Sequence, residues 1–188
     1  MLGGKYMSAF SQFEGQALIW IQENLRGFMD APVRFITMLG DHGYFWIALT
    51  ILLLFFKKTR KAALASALSM IFTLLVVNIA LKPMVARIRP YEVIEGLTYI
   101  VARESEFSFP SGHSANSLAC AWVLWRMLPR KIGLPALVLG LMIALSRLYV
   151  GVHYPTDVIA GVAIGIALAE LAMLVVRSIE KLLKNRKA

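Results

Sequence analysis

Between Ser146 and Asp157 the chain reads Ser-Arg-Leu-Tyr-Val-Gly-Val-His-Tyr-Pro-Thr-Asp, which sets an arginine, a histidine and an aspartate at the junction of two apolar segments. Ionisable groups are costly in such a place and need a reason to be there. Pro155 suits the first position of the helix that follows, because its missing N–H has no partner in that turn and its fixed φ is already helical. His153 then stands just outside a helix mouth, and Asp157 falls in the first turn, within reach of the imidazole. A carboxylate so placed holds one tautomer of a catalytic or metal-bound histidine. Arg147 ends the preceding segment as an anion clamp. A nucleophile or base, its orienting acid and a clamp thus lie within eleven residues.

Two other stretches carry chemistry. Phe109-Pro110-Ser111-Gly112-His113-Ser114 places proline and serine before a long apolar segment, which marks a helix N-terminus whose free N–H groups and dipole make an anion site. Gly112 lets a ligand approach the backbone closely, and His113 sits at the edge of that site. Upstream, Lys82, Arg87 and Arg89 put three cations into eight residues. Snorkelling side chains at the headgroup level would account for these cations taken alone. They do not account for two of only three histidines standing beside anion-binding signals.

The elements that position these groups are apolar. Over 188 residues, a hydrophobic content of 59% and a mean hydropathy of +0.67 exceed what a soluble core needs. Runs able to span a bilayer, about 20 residues each, occur at Ala62 to Leu81, Gly112 to Leu128, Ile132 to Val150 and Pro155 to Val176. A fifth, Val33 to Phe56, is interrupted by Gly40-Asp41-His42-Gly43, where His42 reads as a turn or interface residue. Phe10, Phe13, Ala17, Trp20, Ile21, Leu25 and Phe28 follow three- and four-residue spacing, the pattern of an amphipathic helix on the membrane surface. No cleavable signal peptide is expected, since the first thirty residues lack a continuous apolar region. The expected fold is all-α, a polytopic membrane bundle of about five to six helices including that interfacial one. Its parts are residues 1–30, a core over 31–177 with a functional loop at 82–110, and a basic tail at 178–188. Cys120, the only cysteine, excludes an internal disulfide.

The charge of +9 is distributed along the chain in a way that orients it. Lys57, Lys58, Arg60 and Lys61 follow the first span, Arg126, Arg130 and Lys131 lie between the third and fourth, and Arg177, Lys181, Lys184, Arg186 and Lys187 follow the fifth. These twelve of twenty basic residues mark a cytoplasmic face, which holds the C-terminus. The 82–110 loop and His153 fall on the opposite side, periplasmic or extracellular. The basic tail suits anionic lipid rather than nucleic acid. Gly161 and Gly165 form a small-xxx-small pattern for packing within the bundle or, as the lesser reading, for contact with a second copy in a homodimer. Glu170 is deep for a charge and needs either a basic partner or an escape to the interface.

Lysine and two arginines around N–H donors suit a phosphoryl group. Two histidines suit a displacement in which one attacks and the other protonates the leaving group. No carboxylate cluster for magnesium and no zinc-like histidine spacing is present, so neither metal nor cofactor is expected. Lys82-x6-Arg89-Pro90, Pro110-Ser111-Gly112-His113 and Ser146-Arg147-x5-His153-x3-Asp157, in that order, resemble the tripartite signature of the type 2 phosphatidic acid phosphatases. The resemblance implies that His153 is the nucleophile forming a phosphohistidine, Asp157 orients it and His113 protonates the leaving oxygen. It implies that Lys82, Arg89, Arg147, Ser111 and the Gly112 backbone hold the phosphoryl oxygens. The implied substrate is a membrane lipid phosphate in the bilayer, with undecaprenyl diphosphate first and phosphatidylglycerol phosphate or phosphatidic acid as alternatives. Arg87 and Arg103 offer spare charge for a second phosphate. A reading of another class is a non-catalytic protein that binds or translocates phospholipids, which needs the cations but neither histidine.

Overall fold

The computed structural model describes residues 9–186, and among these the chain is helical with no strand. Lys187 and the side chain of Phe10 lie outside the described part. Helix α1, Ala9–Leu25, turns its Phe13 and Trp20 outward and buries Leu18 against Leu97 and Tyr154. The expected apolar stripe therefore divides: Phe13, Trp20 and Leu25 face outward, whereas Ile21 packs with Leu18 on the face that covers the functional end of the bundle.

Helices α2, Asp30–Met38, and α3, Tyr44–Leu54, are together long and apolar enough for a span and meet at a 45° bend at the glycine break. His42 adopts a left-handed φ of 50° there and leans on the Tyr44 ring, as a turn residue. Helix α4, Arg60–Thr73, continues as a π-helical stretch, Leu74–Leu81, into the short α5, Lys82–Val85. Such wide turns occur inside helices at functional sites; this one carries Asn78 and delivers Lys82. Ala86, left-handed at φ 50°, then turns the chain toward Arg87 and α6, Pro90–Val93.

Helix α7, Gly112–Met127, is the centre of the molecule and packs against α4, α8 (Arg130–Tyr149) and α9 (Pro155–Asn185). Three helical segments are long and apolar enough to cross a membrane, Arg60–Val93, Arg130–Tyr149 and Pro155–Asn185, with the bent α2–α3 pair as a fourth. With 16 residues, α7 is about 24 Å long, short of a hydrocarbon layer of about 30 Å. It is enclosed by other helices instead of lipid: Ser114, Ala115, Ser117, Ala119, Cys120 and Ala121 are all buried.

Glycines on α9 let it come close to α7. A Cβ at Gly161 would stand 2.6 Å from the Ser111 carbonyl, and one at Gly165 2.3 Å from that of Ala115. The small-xxx-small pair therefore serves packing inside the bundle. Outward faces carry exposed Ile71, Leu75, Leu141, Leu145, Ile159 and Leu174, as lipid contact requires. Glu170 receives Arg126 at 2.6 Å and the Trp122 indole at 2.7 Å, so both of its partners come from one turn of α7.

Candidate active site

The turn between α8 and α9 builds the first half of the site. Tyr154 precedes Pro155, and its N–H donates to Asp157 Oδ2 at 3.0 Å, closing the first turn of α9. The same carboxylate oxygen stands 3.4 Å from His153 Nδ1 and accepts from Ser108 Oγ at 2.5 Å. Ser108 Oγ is itself 3.4 Å from Nδ1. Because its hydrogen is directed to Asp157, both neighbours of Nδ1 present lone pairs. Nδ1 therefore carries the ring hydrogen and Nε2 keeps a free lone pair. His153 is 1% exposed, and burial, reinforced by the positive charges of Arg89 and Arg147, pushes its imidazole down to about 4. At neutral pH the imidazole is uncharged.

The cations converge where the three sequence clusters predict. Lys82, Arg89 and Arg147 are nearly inaccessible, and buried charges need partners. Glu104 bridges two of them, meeting Arg89 Nη2 at 2.5 Å and pairing with Arg147, while Glu106 pairs with Lys82. Arg89 also donates to the carbonyls of Glu106 at 2.7 Å and Val152 at 3.0 Å, and its Nη1 lies 3.4 Å from His153 Nε2. Arg147 donates to Thr37 Oγ1 at 2.5 Å. Burial alone would raise the Glu104 carboxyl, but Arg147 and Arg89 bring it down to about 2, so it remains an anion.

The second half is the mouth of α7. Ser111 Oγ accepts from the Ser114 N–H at 3.3 Å as the N-cap, and Ser111 N–H donates to the Asp157 carbonyl at 3.0 Å, tying the two mouths together. A Cβ on Gly112 would lie 3.2 Å from Asn78 Oδ1 and 3.7 Å from Lys82 Nζ, so the bare backbone faces both groups. Asn78 Oδ1 is buried with no hydrogen-bond partner among the described residues. His113 Nε2 lies 2.8 Å from Asp41 Oδ1. The glycine break makes this pair possible: a Cβ on Gly40 would stand 2.6 Å from the His113 ring. Since a carboxylate only accepts, Nε2 of His113 carries hydrogen.

A cleft of about 1150 Å³ opens onto Lys82, Gly112, His113, Arg147 and Glu104 and continues between α3 and α4 along Ile47, Leu74, Ile71 and Met70. Arg89, Ser111, His153 and Asp157 lie behind its wall. All eight anticipated residues therefore belong to one assembly, with four lining the cleft and four beneath it. Glu104, which lines the cleft and holds Arg89 and Arg147, stands at the boundary.

One expectation is corrected. Arg87 is not spare charge: it is bound to Glu14 at 2.6 Å and to Asp157 at 2.5 Å. Arg103 lines the cleft and pairs with Glu92 at 3.0 Å on the surface. Residues that the sequence reading did not assign include Asp41, Ser108, Glu104 and Glu14. Asp41 carries a signal in the sequence, a charge inside the break of an apolar segment beside His42.

A family model described as the PAP2 superfamily matches residues 62–181. The chain belongs to the PAP2 superfamily. An undecaprenyl-diphosphatase of Sulfolobus acidocaldarius is 30% identical over 146 residues, covering 75% of this chain and 70% of that protein. A decaprenylphosphoryl-5-phosphoribose phosphatase of Mycobacterium tuberculosis is 33% identical over 138 residues, 73% of this chain and 75% of that one. The crystal structure of a transmembrane PAP2 type phosphatidylglycerolphosphate phosphatase from Bacillus subtilis superposes with a TM-score of 0.72 at 26% identity, covering 94% of this chain and 88% of that one. This PAP2 chain is thus a lipid phosphatase, a membrane hydrolase acting on phosphate esters. The matched segment contains all three signature clusters, whereas α1, Asp41 and the whole of the bent α2–α3 pair precede it.

Proposed function

We propose that this PAP2 chain removes the terminal phosphate of a polyprenyl diphosphate, with undecaprenyl diphosphate as substrate and undecaprenyl phosphate as product, at the outer face of the cell membrane. The observation that carries the proposal is the cleft, polar at Lys82, His113 and Arg147 and apolar along α3 and α4. From Lys82 to Ala67 its helical wall runs about 20 Å, the depth that a long chain needs beside a phosphate held at the top. The Sulfolobus relative, named for the same diphosphate, supports the choice.

In the reaction proposed, the phosphoryl oxygens take over from Glu104 and Glu106 the donors of Lys82, Arg89 and Arg147, with the Gly112 backbone beside them. His153 Nε2 attacks phosphorus and the bond to the bridging oxygen breaks, its electron pair leaving with the polyprenyl phosphate. His113 supplies a proton to that oxygen. Water then attacks the phosphohistidine and gives its proton to His113. The N–P electron pair returns to Nε2, and inorganic phosphate leaves. Fixed cations supply the charge stabilisation that metals supply elsewhere. The step is read as metal-independent because no group of three or more His, Cys, Asp or Glu side chains placed to hold a metal ion occurs among the described residues. The basic loops at the far end of the bundle support an outward-facing site.

The test is phosphate release by the detergent-purified protein in EDTA, on undecaprenyl diphosphate, phosphatidylglycerol phosphate and phosphatidic acid, beside His153→Ala. Turnover in EDTA that is fastest on the diphosphate and absent in the variant is expected. Faster turnover of phosphatidylglycerol phosphate would reassign the substrate. Loss of turnover in EDTA would defeat metal independence. Lipid binding without turnover on any substrate would favour a non-catalytic protein.

A further inference from the structure

Asp157 is held on both oxygens. Oδ2 serves Tyr154 N–H, Ser108 and the His153 side, whereas Oδ1 takes a single charged donor, Arg87 Nη1 at 2.5 Å. The other end of that guanidinium, Nη2, meets Glu14 Oε2 at 2.6 Å. The second Glu14 oxygen accepts from Thr156 N–H at 2.8 Å and from its hydroxyl at 2.6 Å, and Arg87 Nη1 also donates to that hydroxyl at 2.8 Å. The guanidinium carbon lies 3.8 Å from the centre of the Tyr154 ring. Glu14 is 2% exposed and Asp157 is 0% exposed.

A planar five-donor fork between two carboxylates has one geometry, which a flexible ammonium cannot copy. Without it, Asp157 Oδ1 would be a buried anionic oxygen with no donor, a condition that buried carboxylates relieve by turning or taking a proton. Either response releases His153 Nδ1. Glu14 in turn fixes the far side of the fork and anchors it to the first turn of α9 through Thr156. It comes from α1, which precedes the segment that defines the family.

We infer that Glu14 and Arg87 are positioning residues for the reaction, with Glu14 acting through Arg87 to hold Asp157, and through it His153, in the attacking geometry. Helix α1 is then a working wall of the active site as well as a membrane-facing element. The inference rests on the role proposed above for the His153–Asp157 pair.

The experiment is a double-mutant cycle on the full chain in detergent, reading kcat and KM on undecaprenyl diphosphate for Glu14→Gln, Arg87→Ala and both together, beside Asp157→Asn. Arg87→Ala is expected to lower kcat about a hundredfold, the cost of a misplaced reacting group. Glu14→Gln is expected to lower it about tenfold. KM should move little in either. The double variant should be no slower than Arg87→Ala alone, since Glu14 has nothing left to act through. If Arg87→Ala does not yield a folded protein by size-exclusion chromatography, Arg87→Lys takes its place in the cycle. A Glu14→Gln protein with wild-type kcat, or losses that multiply in the double variant, would overturn the inference. An Asp157→Asn protein with wild-type kcat would instead overturn the role of the pair itself.

Discussion

His153 and His113 each meet a carboxylate, but the two pairs are made differently. Asp157 lies four residues from His153, both are sealed, at 0% and 1% exposure, and a serine and an arginine complete the enclosure. Asp41 lies 72 residues from His113 and is half exposed, at 49%, on the rim of the cleft. A group that must become covalently bonded to phosphorus gains from an invariant direction, which a local turn and a dry surround provide. A group that must exchange a proton with leaving oxygens and water gains from a position at the edge of the cleft. Burial and local sequence thus go with the proposed nucleophile, and access and long-range packing go with the proposed acid.

The largest effect that separates the two is on the histidines themselves. His153→Ala should abolish turnover of every substrate, a loss of about a millionfold. His113→Ala should cost about a hundred- to ten-thousandfold, and the cost should depend on the leaving group. An alkoxide needs a proton far more than a phosphate does, so kcat/KM should fall further on phosphatidic acid than on undecaprenyl diphosphate. Equal losses on both lipids would remove the acid role from His113. The carboxylates come next. Asp157→Asn should cost about ten-thousandfold, because an amide can donate to Nδ1 and stabilise the wrong tautomer. Asp41→Asn should cost about tenfold, confined to phosphatidic acid, as measured by the same kcat/KM comparison. A large loss on the diphosphate would show that both pairs are positioned alike.

This asymmetry also explains what could be read without a structure. The His153–Asp157 pair was legible because a histidine just outside a helix mouth and an aspartate in the first turn of that helix are brought together locally, whatever the rest of the fold does. Lys82, Arg89 and Arg147 were legible as charges placed against the membrane's preference. Asp41, Ser108, Glu104 and Glu14 were not, since each acquires its partner only when distant elements pack. Glu104 and Glu106 sit in a loop without periodicity, where acidic residues look like ordinary surface. Arg87 was seen but misassigned: its charge was evident, whereas the two carboxylates that claim it come from α1 and α9. The central place of α7 was hidden for a related reason: hydropathy counts apolar residues, whereas the buried Ser114, Ala115, Ser117, Ala119 and Ala121 show that α7 is apolar or small toward its helical neighbours. The π-helical stretch that delivers Lys82 has no residue type to announce it.

The smallest effect concerns the boundary between the two halves. Glu104, the anion that Arg89 and Arg147 share, stands between the cleft and His153, so a phosphoryl group competes with it for the same donors. Glu104→Gln removes the competing charge, and the inhibition constant for inorganic phosphate should fall about three- to tenfold, as measured by product inhibition. The same charge favours the imidazolium form of His153, whose pKa lies near 4. A depressed histidine is neutral above its pKa and charged below it, so wild-type kcat/KM should fall as pH drops through about 4. With Glu104 neutral the imidazolium loses a stabilising neighbour, and that acid limb should move to lower pH. Tighter phosphate binding with an unmoved limb would place Glu104 on the cleft side alone; a limb moved upward would contradict its proximity to the nucleophile.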